Sequence, residues 1–219
     1  MHRSGTSCLT GSLQEAGLDL GECHTWNPFN LKGNRENQDF VDLHNDILLA
    51  NGASWDNPPR HVVWSPQHKE RARELLTGFA GTELVGFKDP RTLLLLDGWK
   101  EITDKLEMVG IFRHPNAVAQ SLQRRDNKSR KESLFLWYTY NSYLYKEYKQ
   151  RAFSILCFDD SQELFEAKLN CIFEQIGLET PCKSLQFYDT ELKNCNDNSI
   201  PRLPWRVGRL YGQLCKSSL

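Results

Sequence analysis

A chain of 219 residues with 39% apolar content is long enough for one good-sized α/β domain and short for two. Its 27 basic and 28 acidic residues are interspersed and leave a formal charge of −1, which argues against broad attraction to nucleic acid or to an anionic membrane. The longest apolar run, Leu93-Leu94-Leu95-Leu96, falls far below the roughly 20 residues needed to cross a bilayer. The N-terminus has no signal-peptide core, so a cytoplasmic protein is expected. Cys8, Cys23, Cys157, Cys171, Cys182, Cys195 and Cys215 are odd in number and form no C-x-x-C pair. Neither a disulfide framework nor a zinc site fits that pattern, and reduced thiols, several of them buried, are expected.

The stretch Met1-His2-Arg3-Ser4-Gly5-Thr6-Ser7 comes first, followed by an apolar run predicted to be helical over residues 8–16 and stopped by Gly17. A cation, a glycine and two hydroxyls ahead of a helix can converge N–H groups, a helix dipole and a charge on one anion. The second glycine and the lysine of a Walker A loop are missing. Taken alone, the residues read equally well as a turn with an N-cap.

Residues 18–35 look irregular, like a loop over a site. Phe40, Val41, Leu43, Ile47 and Leu48 fall at helical spacing and predict a helix from Glu36 to Asn51. Glu36 would stand in its first turn, where a carboxylate ordinarily complements the helix dipole. Residues 53–64 form an irregular connection with room for a short strand at His61-Val62-Val63-Trp64. Ser65-Pro66 opens a helix running through Phe79 to Gly81. Glu83 to Phe87 then reads as a buried parallel strand, whose end would deliver Lys88 and Arg91 to the ligand crevice of an open sheet. The other reading of Lys88-Asp89-Pro90-Arg91 is a solvated turn with an internal ion pair.

A helix over Thr92–Lys105 and a second buried strand over Glu107–Phe112 follow, ending at Arg113. His114-Pro115 starts another helix, with Ser121 in its second turn, so that an Arg fork and a hydroxyl flank one strand-to-helix corner. Arg124, Arg125, Lys128, Arg130 and Lys131 read as a solvated face or acceptor-side loop rather than a nucleic-acid patch. Glu132–Arg151 is a long aromatic-rich helix whose rings are mostly assigned to packing. Phe153–Phe158 is a further strand, Leu164–Ile176 a helix closed by Gly177, residues 178–203 an irregular stretch, and Leu203–Leu214 a last amphipathic helix.

Arg3-Ser4-Gly5-Thr6-Ser7, Lys88-Asp89-Pro90 and Arg113 through Ser121 together resemble sulfotransferases, which move a sulfuryl group from 3′-phosphoadenosine 5′-phosphosulfate (PAPS) to an acceptor. The resemblance covers most of the chain and implies an α/β, P-loop-like three-layer fold with a parallel central sheet flanked by helices, in one domain over residues 1–219. The first loop is similar to the family's 5′-phosphosulfate loop, with Arg in the place many members give to Lys. Arg113 and Ser121 look like the pair that holds the 3′-phosphate. Lys88-Asp89-Pro90 resembles the segment of protein-tyrosine sulfotransferases whose lysine assists transfer. The run from Asn27 to Asn37 looks like bacterial-type members, where a Gly-x-x-Glu precedes a helix near the site.

In-line sulfuryl transfer needs positive charge on the moving group and a base for the acceptor hydroxyl. Arg3 and Lys88 are assigned the charge, Ser4, Gly5, Thr6 and Ser7 the 5′-phosphate, and Glu36 the base, ahead of Glu22, Asp89 and His2. No metal is required, and the acceptor is expected to be a carbohydrate or small-molecule hydroxyl. A loop of this kind normally follows a buried strand, and the numbered chain opens at the loop, so that strand is expected to be absent or to lie upstream of Met1. A P-loop kinase-like phosphotransferase and an inactive relative that binds 3′-phosphoadenosine 5′-phosphate (PAP) are the competing functions.

Overall fold

A computed structural model describes residues 1–26, 32–181, 187 and 201–219. Among these, regular structure is mixed α/β: eight helices and one two-stranded parallel sheet. They divide into two compact units, Met1–Ala16 with Met108–Leu219, and Gly17–Glu107.

In the first unit, β1 (Gly110–Phe112) pairs in parallel with β2 (Ile155–Cys157) in the register Gly110↔Ile155 and Phe112↔Cys157. Every residue of both strands is buried, as parallel strands covered on two faces require. Regular pairing is thus shorter than the expected runs 107–112 and 153–158. Around the strands lie α1 (Thr6–Glu15), α5 (Pro115–Asp126), α6 (Arg130–Gln150), α7 (Gln162–Ile176) and α8 (Trp205–Ser217). The boundaries follow local chemistry. Ser129 caps α6 in a reciprocal box with Glu132, Ser161 caps α7, and Gly177 closes α7 with φ 76°. The aromatics of α6 are split: Trp137 and Tyr140 are core, whereas Phe135 is exposed. Tyr138, Tyr143 and Tyr145 are half-buried, so most of the set takes the packing role expected and Phe135 is the exception.

In the second unit, α2 (Gln38–Ala50), α3 (Pro66–Thr77) and α4 (Thr92–Ile102) pack α2 on α3 and α3 on α4. Phe40, Leu43, Ile47, Leu95 and Trp99 are fully buried at its centre. Three expectations are corrected here. Glu83–Phe87 is only half-buried or exposed, and it forms no strand. Among the described residues Val85 makes a single parallel bridge to Asp19. His61–Trp64 is also not a strand. Val63 is 74% exposed, and both its backbone groups bond to the Asn51 side-chain amide, at 2.9 Å to Oδ1 and 3.0 Å from Nδ2. Finally, Glu36 lies before its helix rather than in the first turn, since Asn37 is the N-cap and accepts from Asp39 N at 3.0 Å.

Among the described residues no helix is long and apolar enough to cross a membrane, and no disulfide joins two cysteines. Of the cysteines described, only Cys157 is buried, fewer than expected. Cys182, Cys195, most of the run 178–203 and the segment 27–31 lie outside the described residues.

Close packing in the second unit makes a stability prediction. A Cβ on Gly98 would fall 2.2 Å from Trp64 Cε2, and that indole is buried edge-on against Trp99. Gly98→Ala is therefore expected to destabilise by about 1–3 kcal/mol, the usual effect of overpacking, despite the better helix propensity of alanine. Gly212 in α8 has nothing within 4 Å of the same position. Gly212→Ala is expected to raise the melting temperature slightly where Gly98→Ala lowers it by several degrees, and equal shifts in a thermal scan would contradict the packing argument.

Candidate functional site

The N-terminal loop sits in the first unit, immediately before α1. Thr6 and Ser7 are the first two residues of that helix rather than residues ahead of it. Gly5, its N-cap, has φ 87°, and Arg3 has φ 63°, a left-handed conformation uncommon for a side-chain-bearing residue. A left-handed residue joined to a right-handed one curves the backbone into a concavity of N–H groups, at the positive end of the helix dipole. Gly5 brings no capping side chain, and the first turn carries no acidic residue. Ser4 is fully buried, and its Oγ has no hydrogen-bond partner among the described residues, a costly state for a native hydroxyl unless a ligand or an ordered water satisfies it.

The parallel register brings the other predicted groups to this loop. Because Phe112 pairs with Cys157, the next residues, Arg113 and Phe158, leave adjacent strand ends. A Cβ on Gly5 would lie 2.2 Å from Phe158 Cδ2, and the Arg113 guanidinium stands 5.2 Å from the centre of the same ring. One aromatic ring thus touches both the loop glycine and the predicted phosphate arginine. Arg113 is buried, with Nε 3.4 Å from Asp159 Oδ1 and its carbonyl accepting from Trp137 Nε1 at 2.9 Å. Asp159 also accepts from His114 N at 2.5 Å, so this carboxylate ties the corner together and competes with any anion for Arg113.

Ser121 is buried in the second turn of α5, and Arg3 Nε donates to its Oγ at 2.7 Å across 118 positions of sequence. Burial, reinforced by the charges of Arg125 and Arg113, lowers the Arg3 pKa to about 10; Asp126 opposes that shift without cancelling it. The guanidinium remains charged at neutral pH, so mutually repelling cations are held close together. A multiply charged anion would relieve that repulsion.

The second unit carries Glu36 and Lys88. Lys88 Nζ donates to Glu36 Oε1 at 2.7 Å and to the Asn34 carbonyl at 2.9 Å, and the two charged side chains are only 10% and 13% exposed. Burial pushes the Lys88 ammonium below the usual lysine range, and Glu36 counteracts this. A lysine in this state is a better proton donor than an exposed one.

Behind Lys88, Asp89 Oδ2 meets His44 Nδ1 at 2.8 Å and Arg91 Nη1 at 2.7 Å, while Oδ1 accepts from Arg91 N at 3.0 Å. Trp99 Nε1 bonds to His44 Nε2 at 3.0 Å. An indole N–H can only donate, so His44 Nε2 accepts and its proton sits on Nδ1, directed at Asp89. Burial by itself would raise the Asp89 pKa, but the His44 hydrogen bond and the Arg91 charge hold it well below the carboxylate range. The internal ion pair considered for this turn is therefore formed, and it is buried rather than solvated.

Both oxygens of Asp89 are thus occupied, which removes it as an alternative base. Glu22 is exposed, and His2 lies in the other unit with its ring edge-on to Tyr140. The loop residues Arg3 to Ser7, Arg113 and Ser121 belong to the first unit, Glu36 and Lys88 to the second.

Sequence reasoning missed Phe158, Asp159 as a corner clamp, and His44. A signal existed for His44, which occupies the apolar stripe of α2 between Leu43 and Ile47 and so had to be buried with partners. Phe158 and Asp159 could have been found by laying the two strand ends side by side. No protein-family model matches the chain, and comparison with characterised proteins and with solved structures likewise gave no match.

Proposed function

We propose that the chain is a sulfotransferase that takes a sulfuryl group from PAPS to a hydroxyl acceptor, a carbohydrate or small metabolite. On this reading the parallel pair β1–β2 belongs to a P-loop-like three-layer fold. The observation that carries the proposal is the meeting, inside one unit, of the loop Arg3–Ser7 with Arg113 and Ser121, joined by the Arg3–Ser121 hydrogen bond at 2.7 Å.

The residues fit a nucleotide bearing two anionic ends. The unpartnered Ser4 hydroxyl, the concave backbone at Gly5 and the crowded guanidinium of Arg3 are groups that an anion would satisfy. Ser4, Gly5, Thr6 and Ser7 would hold the 5′ end, and Arg113 with Ser121 the 3′-phosphate. PAPS supplies an activated sulfuryl group on a phosphate leaving group. Within the second unit Glu36 is assigned the acceptor proton and Lys88 a charge-stabilising role; within the first, Arg3 is assigned positive charge for the sulfuryl end. His44 and Arg91 fix Asp89, and through it the turn that presents Lys88.

Calorimetry with PAP in the absence of Mg²⁺ tests the proposal. The parent is expected to bind, and Arg113→Ala to lose about 2–4 kcal/mol, the worth of a charge-assisted bond pair. Adenosine 5′-phosphosulfate, which lacks the 3′-phosphate, should not distinguish the two proteins. A parent that binds Mg²⁺-ATP and not PAP would favour phosphoryl transfer instead, and Arg113→Ala binding PAP as tightly as the parent would overturn the assignment.

A further inference from the structure

One groove of the first unit lies away from these residues, between α6 and α8. It is open, about 710 Å³ in volume, and its walls carry Lys146, Lys149, Arg206 and Arg209 with no carboxylate among the lining side chains. Among the described residues none of the four cations forms an ion pair, a marked local excess in a chain whose net charge is −1. Trp205 is 71% exposed at the rim with the Arg209 guanidinium 5.5 Å from its ring centre, and Tyr145 adds a second ring. An exposed indole braced by a cation is a rigid anchor of the kind that dominates recognition surfaces.

We propose that this groove receives an extended acidic segment of a partner protein. The α6 wall runs from Tyr138 to Gln150, about 18 Å at 1.5 Å per residue, which matches roughly five residues of extended chain. Alternate side chains of such a segment would place carboxylates against the two lysines and two arginines, and apolar groups on Trp205, Tyr145 and Leu210. A peptide suits the surface better than a nucleic-acid strand. The cations are confined to one short groove, and the balanced charge of the whole chain supplies no longer-range field to track a phosphate backbone. The inference does not depend on the sulfotransferase reading.

Fluorescence anisotropy of the full chain with a short labelled peptide alternating glutamate and phenylalanine is the test, with oligothymidylate of matched length as competitor. The peptide is expected to bind, to weaken with salt, and to bind about tenfold or more weakly to Lys149→Glu/Arg206→Glu. Trp205→Ala is expected to weaken it as well. All three positions are exposed, so unchanged melting temperatures should accompany the loss, and Lys149→Gln/Arg206→Gln gives the same ranking without charge reversal. Absence of peptide binding, binding indifferent to these changes, or tighter binding of oligothymidylate would overturn the proposal.

Discussion

On the proposed sulfotransferase reading, Glu36→Gln is expected to reduce kcat for sulfuryl transfer by about 10²–10⁴-fold, the usual contribution of a general base, while PAP affinity stays nearly unchanged. The substitution keeps the shape of the side chain and removes its charge, so Lys88 Nζ loses the partner it holds at 2.7 Å. Burial already places the Lys88 pKa below the ordinary lysine value, and Glu36 is what counteracts that shift. In the role proposed for it Lys88 would assist only when protonated, so activity should fall as pH rises through its depressed pKa, before the range in which an exposed lysine titrates. Glu36→Gln should move that alkaline limb lower still. Lys88→Arg, which stays charged, should abolish the limb even if it lowers the rate. A pH–rate profile of the three proteins checks this, and near-normal turnover by Glu36→Gln would leave Glu22 or His2 as the base.

Gly5→Val is expected to lower PAP affinity by about 100-fold or more. Two independent causes act at that position. Its φ of 87° is unfavourable for any side chain and worst for a β-branched one, at about 1–2 kcal/mol. A Cβ would also stand 2.2 Å from a carbon of the Phe158 ring, which abuts Arg113. Relief by moving either the loop or the ring would disturb the proposed anion site. Gly5→Ala combined with Phe158→Ala removes the clash but leaves the backbone strain, so it should recover part of the loss relative to Gly5→Ala. Calorimetry with PAP alongside thermal unfolding separates a damaged site from a damaged fold, and parent-like affinity in Gly5→Val would contradict the role given to the loop.

Much of the helical frame was legible because its signals are local. Ser129 with Glu132, Ser65 with Pro66, His114 with Pro115, and Gly177 each mark a boundary through chemistry within a few residues. The Arg113–Ser121 corner was legible for the same reason, since a buried strand followed by proline at the first helical position dictates it. Strand extents were not, because pairing is non-local. Glu83–Phe87 has the composition of a buried strand, yet among the described residues its strand pairing is the single bridge from Val85 to Asp19. Phe158 reads as an ordinary strand residue until the register Phe112↔Cys157 sets it beside Arg113. Glu36 was displaced by one capping choice: Asn37 offers its side chain to Asp39 N, and the helix starts at Gln38, two residues later than expected.

The double grip of Asn51 on Val63 has a consequence for the chain in a crowded solution. His61-Val62-Val63-Trp64 combines β-branched and aromatic residues, and Val63 projects into solvent, the makings of a sticky edge that could recruit another molecule by strand addition. By bonding both the N–H and the C=O of Val63, one amide stands in for the neighbouring strand and takes the only donor that residue could offer an intruding chain. Asn51 is thus a built-in safeguard against self-association, made from a single side chain at the end of a helix.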